Sequence, residues 1–245
     1  MSSPPDLATT VRELKTAMAV ERASLVEFID FEKRLTAAER CLEARIHSAE
    51  RLNQLRDQLA QEALRGSHET DVFIERLLRL QSYLASKWAC YEILTVTFHD
   101  LVIRRPVDAG KYKRLTLGGL LEEKSCPISI SVPVKDCRWA VGFSYEVRNT
   151  VMHAGGFVDG AEPLFEGLSP GSPFSLHPRA IDGLKKRDSL AQLSPPTGNA
   201  ELSVAQSDVV KYLRECESKI DKVLIYLLGL SHAAVTSIGA ARSWF

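Results

Sequence analysis

Residues 7–65 carry apolar positions in a three-four rhythm: Leu35, Leu42, Ala49, Leu52, Leu55 and Leu59 return to one side of a helix. The stretch has no proline or glycine and is rich in Ala, Leu, Glu, Arg and Gln, all good helix formers. "TAAE" at 36–39 has capping-box form: Thr36 would bond the third following amide and Glu39 would reach back. The pattern fits a helical hairpin broken near residue 35, or one long helix. Arg45 and Arg56 fall on the apolar seam and interrupt the heptads of a regular coiled coil.

Gly66 punctuates the chain, and a second helix is expected from about Glu69 to Val102. Its apolar set is Val72, Ile74, Leu77, Leu80, Leu84, Trp88, Tyr91, Leu94 and Phe98. "RRPVDAGKYKR" at 104–114 ends it. A short helix follows around 115–123, and "CPISISVP" at 126–133 reads as extended. Pro133 suits the entry of another helix, over Val134 to Ala154, because proline's fixed φ fits there and its missing amide is not needed. Residues 156–200 hold six of the 11 prolines and read as a loop-rich insertion with a hairpin around "FSLHPRAI". "SVAQ" at 203–206 opens a final helix expected to end near Gly229. The fold class read from this is all-α. Residues 1–66 form an N-terminal helical hairpin or coiled-coil-like extension, 67–230 a helical domain, and 231–245 a tail.

Composition narrows the function. The chain is 45% hydrophobic and 25% charged, ordinary for a protein with a real core. Its 31 basic and 31 acidic side chains cancel, which argues against a general nucleic-acid coat protein but leaves room for a local basic cleft. Five cysteines (Cys41, Cys90, Cys126, Cys137, Cys216) with no CxxC pair suit reduced thiols in the cytoplasm, and no metal site or cofactor is expected. "MSSPPDLATTVRELK" lacks the layout of a secretory signal. The apolar run "VLIYLLGLSHAAV" at 223–235 falls short of the roughly 20 residues that span a bilayer, so no membrane is expected as a partner. No GxxxxGK[ST], HExxH or GxSxG occurs, which removes support for P-loop, zinc-protease and hydrolase-elbow chemistry.

"YEVRNTVMHAGG" at 145–156 holds the chemistry. Gly142, Glu146, Asn149 and His153 are spaced by four, three and four, so they share one stripe of a helix. Arg148 is adjacent and long enough to swing toward it. Val141, Phe143, Val147 and Val151 take the other sides. His153 lies in the last turn, where the helix dipole favours imidazolium and nudges its pKa upward. Gly155 and Gly156 let the backbone turn away beyond it. A histidine near neutrality exchanges protons, and an arginine beside it binds phosphate through two bonds. These are parts for metal-free RNA cleavage, in which a 2′-hydroxyl attacks its own phosphodiester. One helix supplies one histidine, whereas the reaction needs an acid and a base. A two-fold dimer would supply both.

Spacing alone is a weak signal. With 19 arginines and six histidines in 245 residues it arises by chance more than once, and the chain shows it twice, at Arg148…His153 and Arg40…His47. The second pair lies in the charged first helices and reads as solvated surface. His99, inside an apolar helix, reads as a satisfied core or interface histidine, and His177 and His232 as structural or exposed.

In "RNTVMH" at 148–153, arginine is followed by a polar residue and, after four intervening positions, histidine. This resembles the motif of the HEPN superfamily of helical-bundle proteins. The likeness extends over about 69–229 as a long helix, the motif helix and a closing helix, with some 45 loop-like residues in place of the usual short link. The resemblance implies a metal-independent endoribonuclease that acts as a homodimer, as a toxin or in phage defence or RNA processing, with an antitoxin or defence-system protein as a further partner. It implies His153 as the acid/base, Arg148 as the phosphate and transition-state clamp, and Asn149 as an orienting partner. Glu146 joins them from the stripe. Arg104, Arg105, Lys111, Lys113, Arg114 and Lys185, Lys186, Arg187 are candidates to guide the RNA backbone. Some HEPN proteins are inactive and serve as assembly modules, so a non-catalytic interaction or RNA-binding module is the alternative.

Overall fold

The computed structural model describes residues 6–21, 28–65, 70–103, 117, 137–153, 157–158, 162–163, 165–166, 175–177 and 208–242. The chain is all-α. Among the described residues the helices are α1 (Leu7–Glu21), α2 (Phe28–Arg65), α3 (Thr70–Phe98), α4 (Arg138–His153) and α5 (Val209–Arg242). Five π-helical residues, His99–Ile103, continue α3. After α4 come two antiparallel pairs of two-residue strands: β1 (Phe157–Val158) with β2 (Glu162–Pro163), and β3 (Phe165–Glu166) with β4 (Ser175–Leu176). The expected hairpin around "FSLHPRAI" contributes only its Ser175–Leu176 edge to these pairs.

Two compact units arise, each assembled from distant segments. One takes 1–43, 87–136 and 220–245, and the other 44–86 and 137–219. They do not coincide with the expected segments 1–66 and 67–230.

In the first unit α1 buries Leu7, Val11, Leu14 and Met18, spaced four, three and four. Asp6 caps it: its Oδ1 accepts the Thr9 amide at 2.7 Å. The bonds from Thr9 hold the Asp6 carboxyl below its ordinary value. Leu35, Leu42, Leu94, Phe98 and Leu224 are also buried in this unit. Lys15 Nζ reaches Glu39 at 2.6 Å, and Arg34 Nη1 reaches Asp100 at 2.6 Å. His99 is buried, with Nδ1 3.4 Å from Asp100, as a core histidine should be.

The second unit packs the lower half of α2, the first half of α3, all of α4 and the start of α5. Tyr212 of α5 meets Phe143 of α4 edge-on at 4.6 Å and lies tilted to Trp139 at 6.1 Å. Replacing Phe143 with leucine keeps most of the volume and loses the aromatic pair. We expect a stability loss of about 1 kcal/mol, read as a lower urea midpoint at unchanged slope.

Three helix boundaries differ from expectation. No break occurs at residue 35. Thr36 lies inside α2 and its hydroxyl donates to the Glu32 carbonyl at 2.9 Å, so it satisfies itself within the helix instead of capping a new one. The final helix begins at Val209 rather than at Ser203. Asp208 Oδ1 accepts the amides of Val210 and Lys211, both at 3.1 Å, and supplies the cap. Gly229 does not end that helix: buried Ser231 and Val235 extend the apolar face, and the helix continues to Arg242 through the expected tail. A fourth difference follows from this continuity. Val209–Ser237 is long and apolar enough by length and composition to cross a membrane, because a helix window tolerates the few charges that an unbroken run does not; 39% of its most apolar window is buried inside the protein. The expected short helix at 115–123, apart from helical Leu117, and the extended segment at 126–133 lie outside the described residues.

Candidate active site

The motif helix forms over Arg138–His153, inside the expected span, and it is amphipathic. Val141, Phe143, Val147 and Val151 are buried in the second unit. Tyr145 and Met152 are exposed at 43% and 40%. They are seven residues apart, two helical turns, and so lie on one face. Arg148 and Asn149 are half-buried and fall between them.

The structure brings Arg148 and Asn149 together. Arg148 donates from Nη1 to the Asn149 Oδ1 at 2.8 Å. Arg148 Nε is shielded from solvent, while the residue as a whole keeps partial exposure. A guanidinium fixed this way loses less entropy when it takes an anion.

Glu146 is placed differently from an open polar ridge. Its residue exposure is 8%, and its backbone carbonyl accepts the Thr150 hydroxyl at 2.9 Å. On the helix circle it stands beside the core-facing positions, which is why the polar stripe is buried at this edge. His153 is the last residue of α4, one turn beyond Asn149. Its side chain lies outside the described part, as do the basic residues of 104–114 and 185–187.

The chance Arg40…His47 pair sits on exposed positions of α2, as solvated side chains do. Cys41, Cys90, Cys137 and Cys216 hold thiols rather than disulfides, and burial pushes the Cys41 thiol up, away from nucleophilic thiolate.

Sequence reasoning passed over two clusters. Arg45, a charge on the α2 seam, is buried beside Glu217 of α5, with Nε 3.4 Å from the carboxylate. Tyr83 is fully buried and donates its hydroxyl to the same carboxylate. Burial, and then the Glu217 charge, push the Tyr83 phenol well above its ordinary value, so it remains a donor. The second cluster surrounds Arg76 of α3, buried at 4% exposure beside a cavity. Arg45 and Arg56 on an apolar seam were the available signals: a charge at a core position needs a partner.

No family model, curated protein or solved structure matches the chain.

Proposed function

We propose that the protein is a metal-independent endoribonuclease acting as a homodimer, with two motif helices sharing one cleft. The observation that supports this best is the Arg148–Asn149 hydrogen bond on the accessible side of α4, one turn before His153. Arg148 is not sealed in the core, as a purely bracing arginine would be. In this reading His153 takes the 2′-hydroxyl proton of bound RNA, and the oxygen attacks the adjacent phosphorus. The bond from phosphorus to the 5′-oxygen breaks, and a second histidine, from the other protomer, gives that oxygen its proton. The products are a 2′,3′-cyclic phosphate and a 5′-hydroxyl. Arg148 clamps the phosphate and holds its developing charge, while Asn149 fixes the guanidinium. Glu146, being buried, acts by positioning. A cytoplasmic toxin or phage-defence effector, with an antitoxin or defence protein as partner, is the setting the HEPN resemblance suggests.

Tyr145 and Met152 supply apolar contact on both sides of the Arg148–Asn149 pair, as a two-fold interface through this face would need. Replacing both with glutamate is expected to shift the protein from dimer to monomer in sedimentation and to lower RNA cleavage by at least about tenfold, because like charges would face each other across the axis. A wild-type chain that is monomeric at concentrations where it cleaves RNA would overturn the shared cleft. The burial of Glu146 favours the second reading, a non-catalytic helical interaction or RNA-binding module, which predicts a dimer without cleavage.

A further inference from the structure

A cavity of about 280 Å³ lies in the second unit, among α2, α3 and the first turn of α5. Its polar lining is Asn53, Arg56, Arg76, Asp208, Lys211 and Arg214. Among the described lining residues four cations stand against one carboxylate. That carboxylate is engaged, since Asp208 Oδ1 accepts two amides as the cap of α5. Two of the cations are also held in place. Arg214 donates from Nη2 to the Ala49 carbonyl at 2.9 Å, and Arg56 Nε lies 3.3 Å from Asp57. Arg76 is buried, with its residue only 4% exposed. Burial lowers its pKa, the Asp208 carboxylate raises it, and the neighbouring Arg56 lowers it again. Four cations around one carboxylate in the described lining set up a demand for negative charge in the cavity. The positive end of the α5 dipole adds to the same demand.

From this lining we infer that the cavity is a binding site for a diphosphate group, free or as the phosphate end of a small molecule. A terminal phosphoryl group carries about −1.5 to −2 charges at neutral pH and a linked inner one adds about one more, so a diphosphate matches the four cations less Asp208 better than a single phosphate does. Guanidinium forks bind such oxygens through paired bonds. The volume is near the lower end of small-molecule sites, roughly 300–1,000 Å³, which suits a phosphate chain more than a whole large ligand. None of the described lining is aromatic, so these residues offer no platform on which a base would stack. Glu146, Arg148 and Asn149 do not line it, and the inference stands apart from the ribonuclease reading.

The test is calorimetric titration of the full-length protein with inorganic pyrophosphate and, separately, with sulfate. Pyrophosphate should bind once per chain and at least about tenfold more tightly than sulfate. Arg56→Gln and Lys211→Gln each remove a charge from partly or fully exposed positions. Each should weaken pyrophosphate about tenfold while the ligand-free unfolding temperature stays near wild type. Adding ADP should displace pyrophosphate if the site takes a diphosphate ester, and the free ion alone is the ligand if it does not. Absence of saturable binding, equal affinity for sulfate, or unchanged affinity in both variants would overturn the inference.

Discussion

Replacing Glu217 with alanine is expected to destabilise the protein by about 3 kcal/mol, near the lower bound for breaking a buried ion pair. The carboxylate serves two buried partners at once. Tyr83 is fully buried and donates its hydroxyl to it. Arg45 brings Nε within 3.4 Å, with its side chain only 8% exposed. Without Glu217 a buried phenol loses its acceptor and a buried guanidinium loses a counter-charge, and neither regains full hydration. The Glu217 side chain is 19% exposed, so water entering from its side recovers part of the loss. Glu217→Gln keeps an acceptor for Tyr83 and removes only the charge, so it should cost less. In a chain of this size each kcal/mol lowers the unfolding temperature by about 2–4 °C, which puts the alanine variant about 6–12 °C below wild type. Removing the exposed Asp30–Lys33 pair should leave the transition unchanged. A loss below about 1 kcal/mol for Glu217→Ala would show that this network does not hold the second unit together.

Seam position 45 shows what could be read in the sequence and what could not. Apolar periodicity located the long helices because burial on one face of a helix leaves a regular trace: Leu35, Leu42, Leu80, Leu84, Tyr91 and Phe98 were all expected inside and are all buried. Arg45 broke the same trace. Its partner lies 172 positions away in α5, and a long-range pair leaves no periodic signal. Caps misled for a related reason. Thr36 and Glu39 match a capping box in letters, but a threonine can equally bond back to the carbonyl four residues earlier, and packing of α2 chose that bond. Asp208 lies five residues from the expected Ser203 start and does cap α5, a choice local letters could not rank. In the site, the apolar sides of α4 were legible. The burial of Glu146 was not, because the wheel gives an angle while the width of the core decides which angles are covered. The Arg76 cavity left just the seam charge of Arg56 as a trace, because its lining comes from three helices far apart in the chain.

The second large effect concerns the motif. His153→Ala should lower RNA cleavage by about 10²–10⁴-fold, the usual worth of a positioned general acid or base. Arg148→Ala should cost about 10²–10³-fold through lost stabilisation of the phosphate charge. Arg148→Lys should recover little. An ammonium keeps the charge but cannot hold Asn149 and grip two phosphate oxygens in one plane. Asn149→Ala should be milder, since it frees the guanidinium without removing it. None of these residues is fully buried among those whose side chains are described, so the Arg148 and Asn149 variants should unfold near the wild-type temperature.

The most direct measurement follows the cleavage of a labelled RNA in the presence of a metal chelator, with wild type, His153→Ala and Arg148→Ala side by side and the product ends identified. Wild type should cleave the RNA whether or not chelator is present and leave products ending in a 2′,3′-cyclic phosphate, and each variant should lose at least about 10²-fold. Cleavage undiminished in both variants, or abolished by chelator in the wild type, would contradict the ribonuclease reading.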